Sequence, residues 1–74
     1  MQTATTPTRA ARRLNAHCVR TNAGFYARQG GLSGRFFSAR VKAGALEVFD
    51  GEAWQTVDLA SQTFADHVGR TVFL

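Results

Sequence analysis

The stretch RFFSARVKAGALEVFDG, residues 35–51, decides the fold. Over Arg35–Lys42 side chains alternate with a period of two, which is the pattern of a strand with two unlike faces. Phe37, Ala39 and Val41 share one face; Phe36, Ser38, Arg40 and Lys42 share the other, which is basic with one aromatic. Ala43 and Gly44 turn the chain into a second strand, Ala45–Phe49, and Asp50–Gly51 is a strong hairpin signal before a third, Ala53–Val57. Upstream, Phe25–Gln29 is a short strand joined to this unit by the flexible run Gly30, Gly31, Leu32, Ser33, Gly34. The four segments predict a four-stranded antiparallel meander.

Flanking signals complete an α+β domain. Thr6 before Pro7 is an N-cap with proline in the first turn, and Arg9–Arg20 is made mostly of good helix formers. Ala11, Leu14 and Cys18 fall on one side of that helix, with Ala10 and His17 flanking. So thin a stripe predicts weak docking, or order only with a partner. Asn22–Gly24 ends the helix with residues that tolerate left-handed backbone. Asp58 or Ser61 is expected to cap a short second helix running to about Val68, with Gly69 as its stop, and Arg70–Leu74 to be a last strand. Residues 1–8 are expected to be a flexible lead-in and residues 9–74 a single small domain. In strand number the order resembles a small, partly open SH3-like barrel. It shares helix, three strands, helix with double-stranded-RNA-binding domains, but the C-terminal segment lacks their basic helix: it carries Asp58 and Asp66, and no Lys or Arg before Arg70.

Charge is divided along the chain. From Met1 to Leu46 there are eight basic residues and no acid; from Glu47 to Leu74 five acids stand against Arg70 alone. The net +4 of the whole chain therefore conceals a dipolar molecule, and an acid-free basic half suits a polyanion or an acidic protein surface. Arginine outnumbers lysine by 8 to 1, which the codon bias of a high-GC bacterial genome also produces. With 74 residues, 45% of them apolar, there is material for one core, and self-association would add stability to so small a domain. A single Cys18 excludes an internal disulfide and suits a reducing cytoplasm. No apolar run reaches the length of a membrane span, so no membrane partner is expected.

No residue pattern carries a catalytic signature. His17 and Cys18 are adjacent, which on a helix turns their side chains about 100° apart, too far for one to activate the other. They read as a half-buried thiol beside a solvated imidazole. Ser61, Asp66 and His67 have the atom types of a hydrolytic triad but lie within two turns of a helix and cannot converge. One cysteine and two histidines without paired spacing make no zinc site, so neither metal nor cofactor is expected. The GxxG string of Gly31–Gly34 is flanked by strands, unlike the helix-joining loop of KH domains.

The expectation is a small non-enzymatic protein-interaction or inhibitor module, of the kind phages and mobile elements encode against a host complex. The alternative is a nucleic-acid-binding module using the Arg-rich helix and the Phe36–Lys42 face. In both, Arg9, Arg12, Arg13, Arg20, Arg28, Arg35, Arg40 and Lys42 contact the partner, an acidic protein surface or nucleic acid. Phe36 and Trp54 supply aromatic contact. A homodimer is compatible with the dipolar charge.

Overall fold

The computed structural model describes residues 6–74 and contains one helix and seven short strands. Helix α1 spans Pro7–Thr21. Thr6 is its N-cap, the hydroxyl accepting from Arg9 N at 3.2 Å, and Asn22 closes it in the left-handed region with φ 54°, donating its N–H to Cys18 O. Both ends are as the capping residues require. The helix takes in Pro7 and Thr8, which the sequence assigned to a lead-in; the rest of that lead-in, residues 1–5, lies outside the described residues.

The strands are β1 Phe25–Ala27, β2 Arg35–Phe36, β3 Ser38–Lys42, β4 Ala45–Phe49, β5 Trp54–Thr56, β6 Phe64–Ala65 and β7 Thr71–Val72. They form two antiparallel sheets, ordered β2-β1-β6-β7 and β3-β4-β5. The expected meander is thus divided. Only β3, β4 and β5 meander, with register Ala39 to Val48 and Glu47 to Thr56. β2 belongs to the other sheet, pairing Phe36 with Phe25.

The division falls at Phe37, whose N–H donates to Phe49 O at 2.8 Å while its neighbour Phe36 pairs with β1. A straight strand would put residues 36 and 39 on opposite faces, yet Phe36 (0% exposed) and Ala39 (7%) are both buried. One residue of phase is lost in the step between sheets, as in a bulge. The sequence reading had the phase right at Ala39 and inverted at Phe36 and Phe37; Phe37 and Val41, expected inside, are exposed.

The predicted helix over residues 58–68 is absent. Asp58 instead caps a turn, accepting from Ala60 N at 3.0 Å and Ser61 Oγ at 3.0 Å, and the chain continues as β6 between β1 and β7. Asp58, expected with Ser61 as the alternative cap of a helix, caps a turn instead, Ser61 donates to it, and the stability of Phe64 in the sheet core overrides local helix preference.

Phe25, Phe36 and Phe64 form the centre of the core. Phe64 meets Phe25 and Phe36 edge-on, at 5.1 and 6.2 Å between ring centroids, and Phe25 stacks on Phe36 at 5.9 Å. Such arrangements add about 0.5–1.5 kcal/mol per pair beyond area burial. Helix α1 brings Ala10, Ala11, Leu14 and His17 down mainly onto β3 and β4, against Leu46 and Val48. Its docking is firmer than the thin stripe suggested, because Asn15 adds two hydrogen bonds to the backbone of Ala39.

Candidate functional site

Beside α1 the surface opens into a groove of about 750 Å³, with the helix as one wall and residues 69–73 as the other. Arg13 and Arg20 stand on the helix wall. They are seven residues apart, hence about 10 Å along the axis on one side. Arg28, following β1, reaches across the sheet: its Nη1 donates to Gly69 O at 2.9 Å and to Thr71 Oγ1 at 3.4 Å. Arg70 completes the set, so four guanidiniums line one concavity.

Asp66 is the one carboxylate in the groove. It accepts from Val68 N at 3.0 Å and Arg70 N at 2.8 Å and pairs with Arg70 Nε at 3.3 Å, thereby fixing the turn that carries Arg70. Desolvation pushes this carboxyl up, but the bonds from Arg70 N and Val68 N and the charge of Arg70 outweigh it. Its titration lies below the ordinary carboxylate range. Being neutralised locally, Asp66 leaves the groove an excess of positive charge, in a concavity that strengthens the field at its floor.

His17 is in the helix wall of the groove. Its imidazole is 6% exposed rather than solvated, since it follows Leu14 by three residues onto the buried side, and its Nε2 is enclosed without a hydrogen-bond partner. Cys18 beside it is half-buried as expected, and burial pushes its thiol up, away from the thiolate a nucleophile needs. At the other end of the groove Phe73 is 79% exposed.

The remaining basic residues do other work. Arg35 donates from Nε and Nη2 to Ala23 O at 2.9 and 2.6 Å and lies over the rings of Tyr26 and Phe37. Arg40 pairs with Glu47 at 2.8 Å across the β3–β4 ladder and lies 4.0 Å from the centroid of the Trp54 ring. Trp54, tilted against Phe49 at 5.1 Å, is therefore half-buried beneath a guanidinium. Arg9 and Arg12 are exposed on α1, and Lys42 is exposed at the β3–β4 turn.

Of the residues chosen from sequence, the structure gathers Arg13, Arg20 and Arg28 into the groove and not Arg35, Arg40 or Lys42. Phe36 is a correction: expected as an outward contact, it is fully buried in the aromatic core because the strand changes phase after it. Arg70 and Phe73 were missed. Both follow the acidic segment, and a linear charge count cannot see that Asp66 is consumed by the turn it caps. Three of the hairpin acids are likewise occupied: Glu47 by Arg40, Asp50 by Glu52 N and Ala53 N, and Asp58 by its own turn.

Ser61, Asp66 and His67 do not form a relay, since Ser61 Oγ donates to Asp58 and Asp66 is engaged with Val68 and Arg70. Among the described residues there is no cluster of three or more metal-ligating side chains, and no helix is long and apolar enough to cross a membrane. Comparison with family models, with curated proteins and with solved structures finds no match.

Proposed function

We propose that this protein is a small non-catalytic interaction or inhibitor module that docks an acidic protein surface in the groove between α1 and β7. The observation that carries the reading is the placement of the exposed Phe73 in the same groove as four arginines. Arginine and aromatic side chains side by side are what interface centres use, the ring for desolvated area and the guanidiniums for bidentate carboxylate bonds. Phe36 is buried and the guanidiniums of Arg40 and Arg35 lie over Trp54 and Phe37, which takes support from a base-stacking platform on the Phe36–Lys42 face. The reading carries a cytoplasmic setting, in keeping with the single half-buried thiol of Cys18.

One observation favours nucleic acid as the second reading: Arg9, Arg13 and Arg20 recur along one side of α1, a stripe able to follow phosphates. Tagged protein retained on beads through nuclease treatment separates the two. Under the first reading the partner stays bound after nuclease and is lost when Arg13→Glu and Arg20→Glu are combined or Phe73→Ala is made. Retention only with nucleic acid intact, together with salt-dependent binding of labelled duplex or single strands, would overturn it.

A further inference from the structure

The groove is bordered by an open sheet edge. β7 is the outermost strand of its sheet and pairs with β6 alone, Phe64 with Val72 and Ala65 with Thr71. Asp66 N donates to Arg70 O at 2.8 Å, so residues 66 and 70 are a hydrogen-bonded pair. In an antiparallel ladder bonded and non-bonded pairs alternate. Phe64 and Val72 are then the next bonded pair, and Ala65 and Thr71 the non-bonded one. The β1 side agrees: Arg28 N donates to Thr63 O at 2.9 Å, which makes Tyr26 and Ala65 a bonded pair and turns the polar groups of Ala65 toward β1. The N–H and C=O of Thr71 therefore point away from β6, and those of Phe73 follow the same alternation. No strand pairs with β7 on that side, and among the described residues no turn or loop backbone bond reaches Thr71 or Phe73.

We infer that the groove receives an extended acidic segment of the partner as an added strand on β7, an inference that rests on the acidic-partner reading above. Two consecutive outward residues offer two donors and two acceptors to an added strand, which is how an edge is recognised without side-chain specificity. Side-chain chemistry then sets the sequence of the occupant. The sheet face that carries Thr71 also carries Arg28, bonded to that threonine and lining the groove. The opposite face carries Val72, and a second cleft of about 270 Å³ lies along the same strand, lined by Leu59, Thr71, Val72, Phe73 and Leu74. A strand presents alternate side chains to alternate faces. The segment that fits has acidic residues at every second position, turned toward Arg28, and aliphatic ones between them, turned toward Leu59 and Val72. Arg13 and Arg20, across the groove, meet the acids from the helix side.

The test uses isotopically labelled full-length protein and, as probe, a blocked heptapeptide of alternating glutamate and valine. On binding, the amide signals of Thr71 and Phe73 are expected to shift and their exchange with solvent to slow by about tenfold. A peptide of the same side chains with alternate backbone nitrogens methylated should bind about tenfold more weakly. Phe73→Pro removes the outward N–H and should weaken binding by at least as much, beyond the effect of Phe73→Ala, with circular dichroism showing both variants folded. If combined Arg13→Glu and Arg20→Glu weakens binding while backbone methylation and Phe73→Pro are silent, strand addition is overturned and the acidic-partner reading stands. Absence of peptide binding overturns strand addition, and the nuclease-resistant partner then decides the broader reading alone. Displacement of the peptide by duplex DNA, with Thr71 and Phe73 unprotected, overturns both.

Discussion

The side-chain amide of Asn15 pairs with the backbone of Ala39 as a neighbouring strand would: Nδ2 donates to Ala39 O at 2.8 Å and Oδ1 accepts from Ala39 N at 2.9 Å. β3 ends its sheet, so these groups of Ala39 would otherwise be open beneath the helix. One residue of α1 thus closes the edge of one sheet while the edge of the other, at β7, stays open. The groove beside the helix has arginines on both walls.

Replacing Asn15 by Ala removes both bonds and leaves two backbone groups of a buried residue without partners. The expected cost is about 2–3 kcal/mol, since each unsatisfied group costs about 1–3 kcal/mol. Urea denaturation at neutral pH should show the lower midpoint with an unchanged slope. A loss below about 0.5 kcal/mol would mean that water replaces the amide and that the pairing does not hold the helix down.

Gly24→Ala should be far more damaging than Gly44→Ala. Both glycines have positive φ, +75° and +77°, so both substitutions carry the left-handed cost of about 1–2 kcal/mol. At Gly24 an added Cβ would also lie 2.5 Å from Phe36 O, whereas at Gly44 it meets nothing within 4 Å. Thermal melts should separate the two by several degrees, with Gly24→Ala the lower. Equal melting temperatures would show that the exit of α1 can shift away from β2.

Acid should weaken the fold through the turn carboxylates. Hydrogen bonds from the N–H groups of Ala53 and Glu52 and the amide of Gln55 hold Asp50 below the ordinary carboxylate range, and Asp66 is held low as described. A depressed folded-state value means that in acid the unfolded chain takes up protons first. The stabilisation is complete above the unfolded carboxylate value of about 3.9 and disappears as pH falls through the folded one. In urea midpoints measured from pH 6 down to 3, Asp50→Asn should keep its turn, because an amide oxygen still accepts from Glu52 and Ala53, and lose part of the acid dependence. An acid limb as steep as the wild type's would contradict the assignment.

Arg40→Ala tests the separation of structural from docking arginines. Arg40 covers the indole of Trp54 and pairs with Glu47. Its loss should red-shift the fluorescence of the lone tryptophan and cost about 1 kcal/mol. Partner capture should be unaffected. Loss of capture with the fold intact would move the docking surface to the β3–β5 face.

Much of this protein was legible before folding. The limits of α1 follow from Thr6, Pro7 and Asn22, and Ala45–Phe49 has the bounds its pattern predicts, because caps and turns are decided by a few adjacent residues. The α+β class follows from the same local signals, and so does the basic character of the helix. What tertiary structure decided is non-local. Whether Phe36 faces in or out depends on which sheet residues 35–42 join, and the chain joins both, changing phase at Phe37. Phe64 becomes a strand residue rather than a helical one because Phe25 and Phe36 are there to receive its ring. The groove assembles arginines from positions 13, 20, 28 and 70, and only the sheet order brings the last of them, from the acidic part of the sequence, opposite the first. Local backbone preferences are written in neighbouring residues; the convergence of charge is set by strand pairing between segments far apart in the chain.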